Sequence, residues 1–206
     1  MKVMTMVLGP IGTNCYVIRK EDEKEVLIVD PASQAALIEQ KLDELGAVPA
    51  ATLLTHGHFD HIGAVDGLRE RYGCPVYALR QEKETLQDPS LNQSLYHGAS
   101  ITVEADQYLT DGQELKAGPF TLKVLHTPGH TPGGTCYYME DEKVLFSGDT
   151  LFCESVGRTD FPGGSMSALV RGIREKLMTL PDETVVCPGH GPASTIGHEK
   201  AYNPFL

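Results

Sequence analysis

The sequence predicts a mixed α/β (α+β) fold built in layers, and three observations lead there. Short apolar runs recur along the chain and end in turns that contain Gly or Pro. Longer stretches with helical periodicity separate some of these runs. The chain has 206 residues, 41% of them hydrophobic and 22% charged, enough to bury one substantial core. The expectation is one domain over residues 1–206, with strands and helices stacked as layers.

Residues 2–8, 14–19 and 25–29 read as strands joined by turns. Ser33 reads as the N-cap of a helix that runs to Leu45 and stops at Gly46, with Leu37, Ile38, Leu42 and Leu45 as its apolar stripe. Residues 51–54 form a strand, 63–72 a helix and 75–79 a strand. The stretch 80–112 is the least regular: RQEKETLQD is a helix candidate, and the polar DPSLNQSLYHGAS reads as a loop of the kind that walls a substrate site. Strand rhythm returns at PFTLKVL, GGTCYYME and KVLFSGD. An amphipathic helix over 165–178 and a strand over 184–188 follow.

A net charge of −11 argues against a nucleic-acid partner, which needs a basic surface. No run approaches the ~18 apolar residues of a membrane span. The N-terminal MKVMTMVLGPIGTNCYVI is broken by Gly9-Pro10 and alternates like a strand, unlike a signal peptide. Five cysteines without framework or C-x-x-C spacing predict reduced thiols and a cytoplasmic location.

The segment LLTHGHFDHIGA places His56, His58, Asp60 and His61 within six positions. Three further strand-like runs end in His130, Asp149 and His190, each beside a tight turn. Strand ends on one rim of a sheet converge, so four such runs deliver seven ligands to one cleft. His56, His58 and His130 supply three nitrogens to a first ion, Asp60, His61 and His190 serve a second, and Asp149 bridges. An all-N/O set suits zinc first, with iron or manganese as alternatives, rather than calcium. Its incomplete protein shell leaves room for water, the mark of a catalytic site. His97, in the irregular stretch, and His198, near the C-terminus, read as ordinary solvated or packed histidines, and His126 as a turn residue or an orienting partner of a ligand. Asp30 reads equally as an orienting partner of a ligand imidazole or as a turn cap. Cys153, near Asp149, has no activating base nearby in sequence.

The combination T-H-G-H-F-D-H, G-H-T-P-G, S-G-D-T-L-F and P-G-H-G resembles the metallo-β-lactamase fold superfamily over nearly the whole chain, and within it the short bacterial glyoxalase II-like (hydroxyacylglutathione hydrolase-like) hydrolases. The resemblance implies a four-layer αββα sandwich with two metals at one edge, held by the seven residues above. It also argues against zinc β-lactamases, which typically carry a cysteine at the position of Asp149 and are exported, and against flavodiiron-type members, which carry an acid at that of His58. Only 16 residues follow His190, so the helical extension that grips glutathione in glyoxalase II is expected to be absent. Arg158, in GRTDF, stands where such an enzyme has a substrate-binding cation; it reads equally as a carboxylate ligand or as an ion pair with Asp160. GRTDF also resembles the persulfide dioxygenases, which would use one iron on His56, His130 and Asp149. A lactonase of the same superfamily is a further alternative, and a non-catalytic metal-binding protein the last.

The expected reaction is hydrolysis of a small-molecule thioester or ester, S-lactoylglutathione being one example. A hydroxide shared by two cations attacks the carbonyl, its pKa lowered from 15.7 to about 7. Asp60 orients that hydroxide. A thiolate with a pKa of about 8.5 leaves without a dedicated general acid.

Overall fold

The computed structural model describes residues 1–206 as two six-stranded sheets packed face to face, with helices on both outer surfaces. In chain order the first half comprises β1 (Lys2–Leu8), β2 (Thr13–Arg19), β3 (Glu25–Val29), α1 (Ala35–Leu45), β4 (Val48–Leu53), α2 (Phe59–Ile62), α3 (Val65–Tyr72), β5 (Val76–Leu79), α4 (Lys83–Gln87) and β6 (Gln107–Leu109). The second half comprises β7 (Glu114–Ala117), β8 (Phe120–His126), β9 (Thr135–Met139), β10 (Val144–Gly148), β11 (Leu151–Phe152), β12 (Ser155–Val156), α5 (Met166–Gly172), β13 (Val185–Pro188), β14 (Ser194–Thr195) and α6 (Ile196–Tyr202).

The first sheet has the order β1-β2-β3-β4-β5-β6 and the second β14-β13-β10-β9-β8-β7, while β11 and β12 form a separate hairpin. Strands of the first sheet alternate: Ile18, Leu27, Val29 and Leu53 point inward to meet Phe120, Leu122, Tyr137 and Phe146 of the second. The opposite faces of the same strands, through Val17, Val26 and Ile28, pack under Ile38 and Leu42 of α1 and Leu68 of α3. Leu125, Cys136, Tyr138 and Leu145 likewise pack under Leu169 of α5 and Ile196 of α6. A strand buried on both faces has no polar face, which is why β3 and β10 read as continuous apolar runs. The result is the αββα sandwich that the resemblance implied.

Several local expectations are corrected. Ser33 does not cap α1; its hydroxyl is buried without a partner, and Gln34 precedes the helix in a left-handed conformation (φ 55°). The buried stripe of α1 is Ile38 and Leu42, while Leu37 is 43% exposed because the helix meets the sheet along a narrower face. Gly46 does end the helix, its left-handed backbone turning the N–H back onto Leu42 and Asp43 carbonyls. The 165–178 helix starts one residue later, capped by Ser165, and changes to a π-helical turn at Ile173–Leu177. The stretch 80–88 contains a 3₁₀ turn, Arg80–Glu82, followed by α4. β6, β7, β14 and α6 were not anticipated, the strands being only two to four residues long. All five cysteines are free, and no helix is long and apolar enough to cross a membrane.

Phe146 lies at the centre of the inter-sheet core, fully buried and edge-on to Tyr16 with ring centroids 5.3 Å apart. Phe146→Ala is expected to cost about 3–5 kcal/mol in urea unfolding, whereas Val48→Ala, at an exposed strand start, should stay within about 0.5 kcal/mol.

Candidate metal centre

The topology explains why the ligands meet. β8 and β10 are both antiparallel to β9, and β13 is parallel to β10, so β8, β10 and β13 run in one direction and end on one edge. β3 and β4 are parallel in the other sheet, and their ends face the same edge. His56 and His58 follow β4, Asp60 and His61 lie on the short α2, and His130, Asp149 and His190 follow β8, β10 and β13. The two sheets are stitched there: Asn14 N–H donates to the Gly189 carbonyl (2.7 Å), and the Tyr16 hydroxyl to that of Pro188 (2.6 Å). A Cβ at Gly189 would lie 2.2 Å from Asp149 Oδ1, so only glycine lets this turn pass the carboxylate.

All seven predicted residues come together. The ligating atoms of His56, His58 and His130 lie within 4.8 Å of one another, as do those of Asp60, His61 and His190. Asp149 reaches both groups, its Oδ2 3.5 Å from His130 Nε2 and 3.5 Å from His190 Nε2, and its Oδ1 3.4 Å from His61 Nε2. Asp60 Oδ2 is 3.4 Å from His61 Nε2 and 3.3 Å from His190 Nε2. These separations exceed the 2.7–2.9 Å of a charge-assisted hydrogen bond. They match the spacing of about 3.3–3.6 Å between ligand atoms placed 2.0–2.2 Å from one tetrahedral zinc. Within the nitrogen trio, His58 Nδ1 and His130 Nε2 are closer, 2.9 Å. His56 Nε2, His61 Nε2 and Asp149 Oδ1 are buried without a hydrogen-bond partner. Orphaned lone pairs buried together are costly unless a cation receives them, so the residues fit divalent metals.

Surrounding groups set the tautomers. Asp30 Oδ1 accepts from Thr55 N–H (2.8 Å), and its Oδ2 accepts from the Thr55 hydroxyl (2.6 Å) and faces His61 Nδ1 (2.9 Å). Because that hydroxyl donates to Asp30, it accepts from His56 Nδ1 (3.2 Å). His130 Nδ1 donates to the Arg158 carbonyl (2.7 Å). Each contact puts the proton on Nδ1 and leaves Nε2 bare toward the centre. Asp30 therefore takes the orienting role, one of the two readings its sequence position allowed. Thr13, missed in the sequence, donates to Asp60 Oδ2 (2.9 Å).

Burial, reinforced by neighbouring imidazoles, pushes His56 well down and His58 down to about 3; burial also lowers His130, keeping all three neutral. Burial opposes charge on His61 too, but Asp60, Asp149 and Asp30 outweigh it and raise its pKa to about 10.

The centre opens into a cavity of about 590 Å³. Phe59, Phe152 and Phe161 line its walls, as does His97, which the sequence placed in a loop and the structure stacks on Phe59 at 4.2 Å. His126 bonds to the Pro132 carbonyl within its turn, and His198 pairs with Glu154, so both stay outside the centre. Arg158 borders the cavity with its guanidinium held by both Asp160 oxygens (2.7 and 2.6 Å) and lying 4.2 Å from the Phe161 ring centroid.

Residues 8–190 match the model of the metallo-beta-lactamase superfamily. A probable metallo-hydrolase of Bacillus subtilis, YqgX, is 45% identical over all of this chain and 98% of its own. The hydroxyacylglutathione hydrolase GloC of Haemophilus influenzae is 38% identical over 94% of this chain and 92% of its own. Among solved structures, the BLEG-1 B3 metallo-beta-lactamase superposes with a TM-score of 0.95 at 47% identity, covering 100% of this chain and 99% of that one. TTHA1623 in a di-iron-bound form gives 0.89 at 36% identity, covering 99% and 100%.

Asp30→Asn removes one acceptor from the Thr55–His61 network without changing its shape. It is expected to weaken metal binding about 10–100-fold while the far-ultraviolet circular dichroism stays unchanged, as measured by chelator competition. Unaltered affinity would show that Asp30 does not orient His61.

Proposed function

The chain belongs to the metallo-β-lactamase superfamily as a metallo-hydrolase, and on that premise we propose that it is a binuclear hydrolase of thioesters or closely related esters. The observation that carries this reading is the pair of ligand trios meeting at Asp149, free of thiolate, beside an open cavity. Two divalent cations held there would supply Lewis acidity and a water of lowered pKa. Zinc suits the N/O set, and the di-iron form of TTHA1623 supports iron as the alternative.

The chain's own residues set up the rest. Asp60, anchored by the Thr13 hydroxyl, presents its remaining lone pairs to the cavity and orients the attacking water. Phe59, Phe152 and Phe161 surround the acyl group and exclude bulk water. Besides the metal-binding residues, the titratable side chains lining the cavity are His97 and Arg158. Neither a lysine nor a tyrosine stands there, and one face of His97 is stacked on Phe59. A thiolate leaves at neutral pH without a proton donor, so a thioester needs nothing further from this lining. The similarity to GloC supports the same choice. The similarity to BLEG-1 favours a second reading, cleavage of a β-lactam amide.

The glutathione moiety finds little charge complementarity. Arg158 is the one lysine or arginine of the lining, and Asp160 already holds it in a largely exposed, solvent-screened pair. A substrate carboxylate would displace Asp160 rather than meet an empty site.

The zinc-loaded protein should release thiol from S-lactoylglutathione and from a short thioester without carboxylates, and turn over nitrocefin at least 100-fold less efficiently. Reversed efficiencies would assign it to β-lactams; oxygen uptake with glutathione persulfide and no thiol release from either thioester would assign a dioxygenase. Arg158→Ala should raise KM several-fold for the carboxylate-bearing thioester only. An equal KM for wild type and variant on both substrates would leave Arg158 as a loop ion pair.

A further inference from the structure

Glu82 is a fully buried acid that the chemistry above does not use. It sits at the end of the 3₁₀ turn after β5, in a sequence stretch with two other acids, and carries no motif. Its Oε1 accepts from the N–H of Gly57 (2.8 Å), the residue between His56 and His58. Its Oε2 accepts from the Thr131 hydroxyl (2.9 Å) and the Gly133 N–H (2.7 Å), in the turn that carries His130. One carboxylate therefore spans the two turns that supply the nitrogen trio. No cation pairs with it, and burial pushes its pKa up to about 7 against the pull of these donors. An acid is retained there at the cost of burying it.

The glycines bear on the same point. A Cβ at Gly133 would lie 2.3 Å from the Glu82 backbone nitrogen and 2.5 Å from Oε2, and one at Gly57 would lie 3.2 Å from Oε1. Both turns are stripped of side chain where the carboxylate approaches. The turns also meet through a backbone bond from Thr135 N–H to the Thr55 carbonyl (2.9 Å) and through the imidazoles of His58 and His130, 2.9 Å apart.

We propose that Glu82 is a positioning residue: by bonding the His56–His58 turn to the His130 turn, it fixes the spacing of the three imidazoles that hold the first metal. The proposal rests on the two-metal reading. Glu82→Gln keeps the shape but turns an amide NH₂ toward backbone N–H or hydroxyl donors, pushing the turns apart. The second trio, Asp60, His61 and His190, makes no bond to Glu82 and should be spared.

The test separates the two positions by background. With His190→Ala the nitrogen trio stays complete; with His130→Ala the second trio does. Zinc affinity of each is measured by competition with a chromophoric chelator. Glu82→Gln is expected to lower zinc affinity 10–100-fold in the His190→Ala background and less than threefold in the His130→Ala background. Thr131→Val, which removes one donor and leaves the carboxylate, should act in the same direction by a smaller factor and covers the case in which Glu82→Gln does not fold. Equal losses in both backgrounds would make Glu82 a general fold stabiliser and overturn the proposal, as would no loss in either. Failure of the unsubstituted protein to bind zinc at all would overturn the two-metal reading, and this proposal with it.

Discussion

The constraint on which this structure depends is electrostatic. Five imidazoles and three carboxylates meet at one edge of the sandwich, and several of their lone pairs have no hydrogen-bond partner. Charged and polar groups do not stay buried together unless something satisfies them. Divalent cations would meet that need. The separations of 3.3–3.5 Å between imidazole and carboxylate atoms match those between ligands of one tetrahedral ion.

The fold answers this constraint by direction. Three parallel-running strands of one sheet and two of the other end at the same edge, so no long loop has to carry a ligand there. The sheets are pinned at that edge by bonds from Asn14 and Tyr16 to the turn before His190. The apolar core between them makes the edge rigid, and rigidity is what keeps unpaired ligands from collapsing onto one another.

Much of this was legible in the sequence. His56, His58, Asp60 and His61 stand so close together that little besides a metal explains them, and His130, Asp149 and His190 each follow an apolar run that proves to be a strand. The supporting residues were hidden. Thr13 and Glu82 reach the centre from positions far away in sequence, by single hydrogen bonds that leave no pattern in the chain. Ser33 looked like a helix cap because local preference ranks serine first, but the positive φ of Gln34 set the helix start instead. His97 sat in a polar stretch without periodicity, and only its stacking on Phe59 places it at the cavity.

The account stands on two metals at one edge. The most direct measurement is anomalous X-ray diffraction at the zinc edge from crystals of the zinc-loaded protein. The account predicts two peaks about 3.5–4 Å apart, one among His56, His58 and His130, the other among Asp60, His61 and His190, with Asp149 between them. A single peak, or peaks away from these residues, would contradict it.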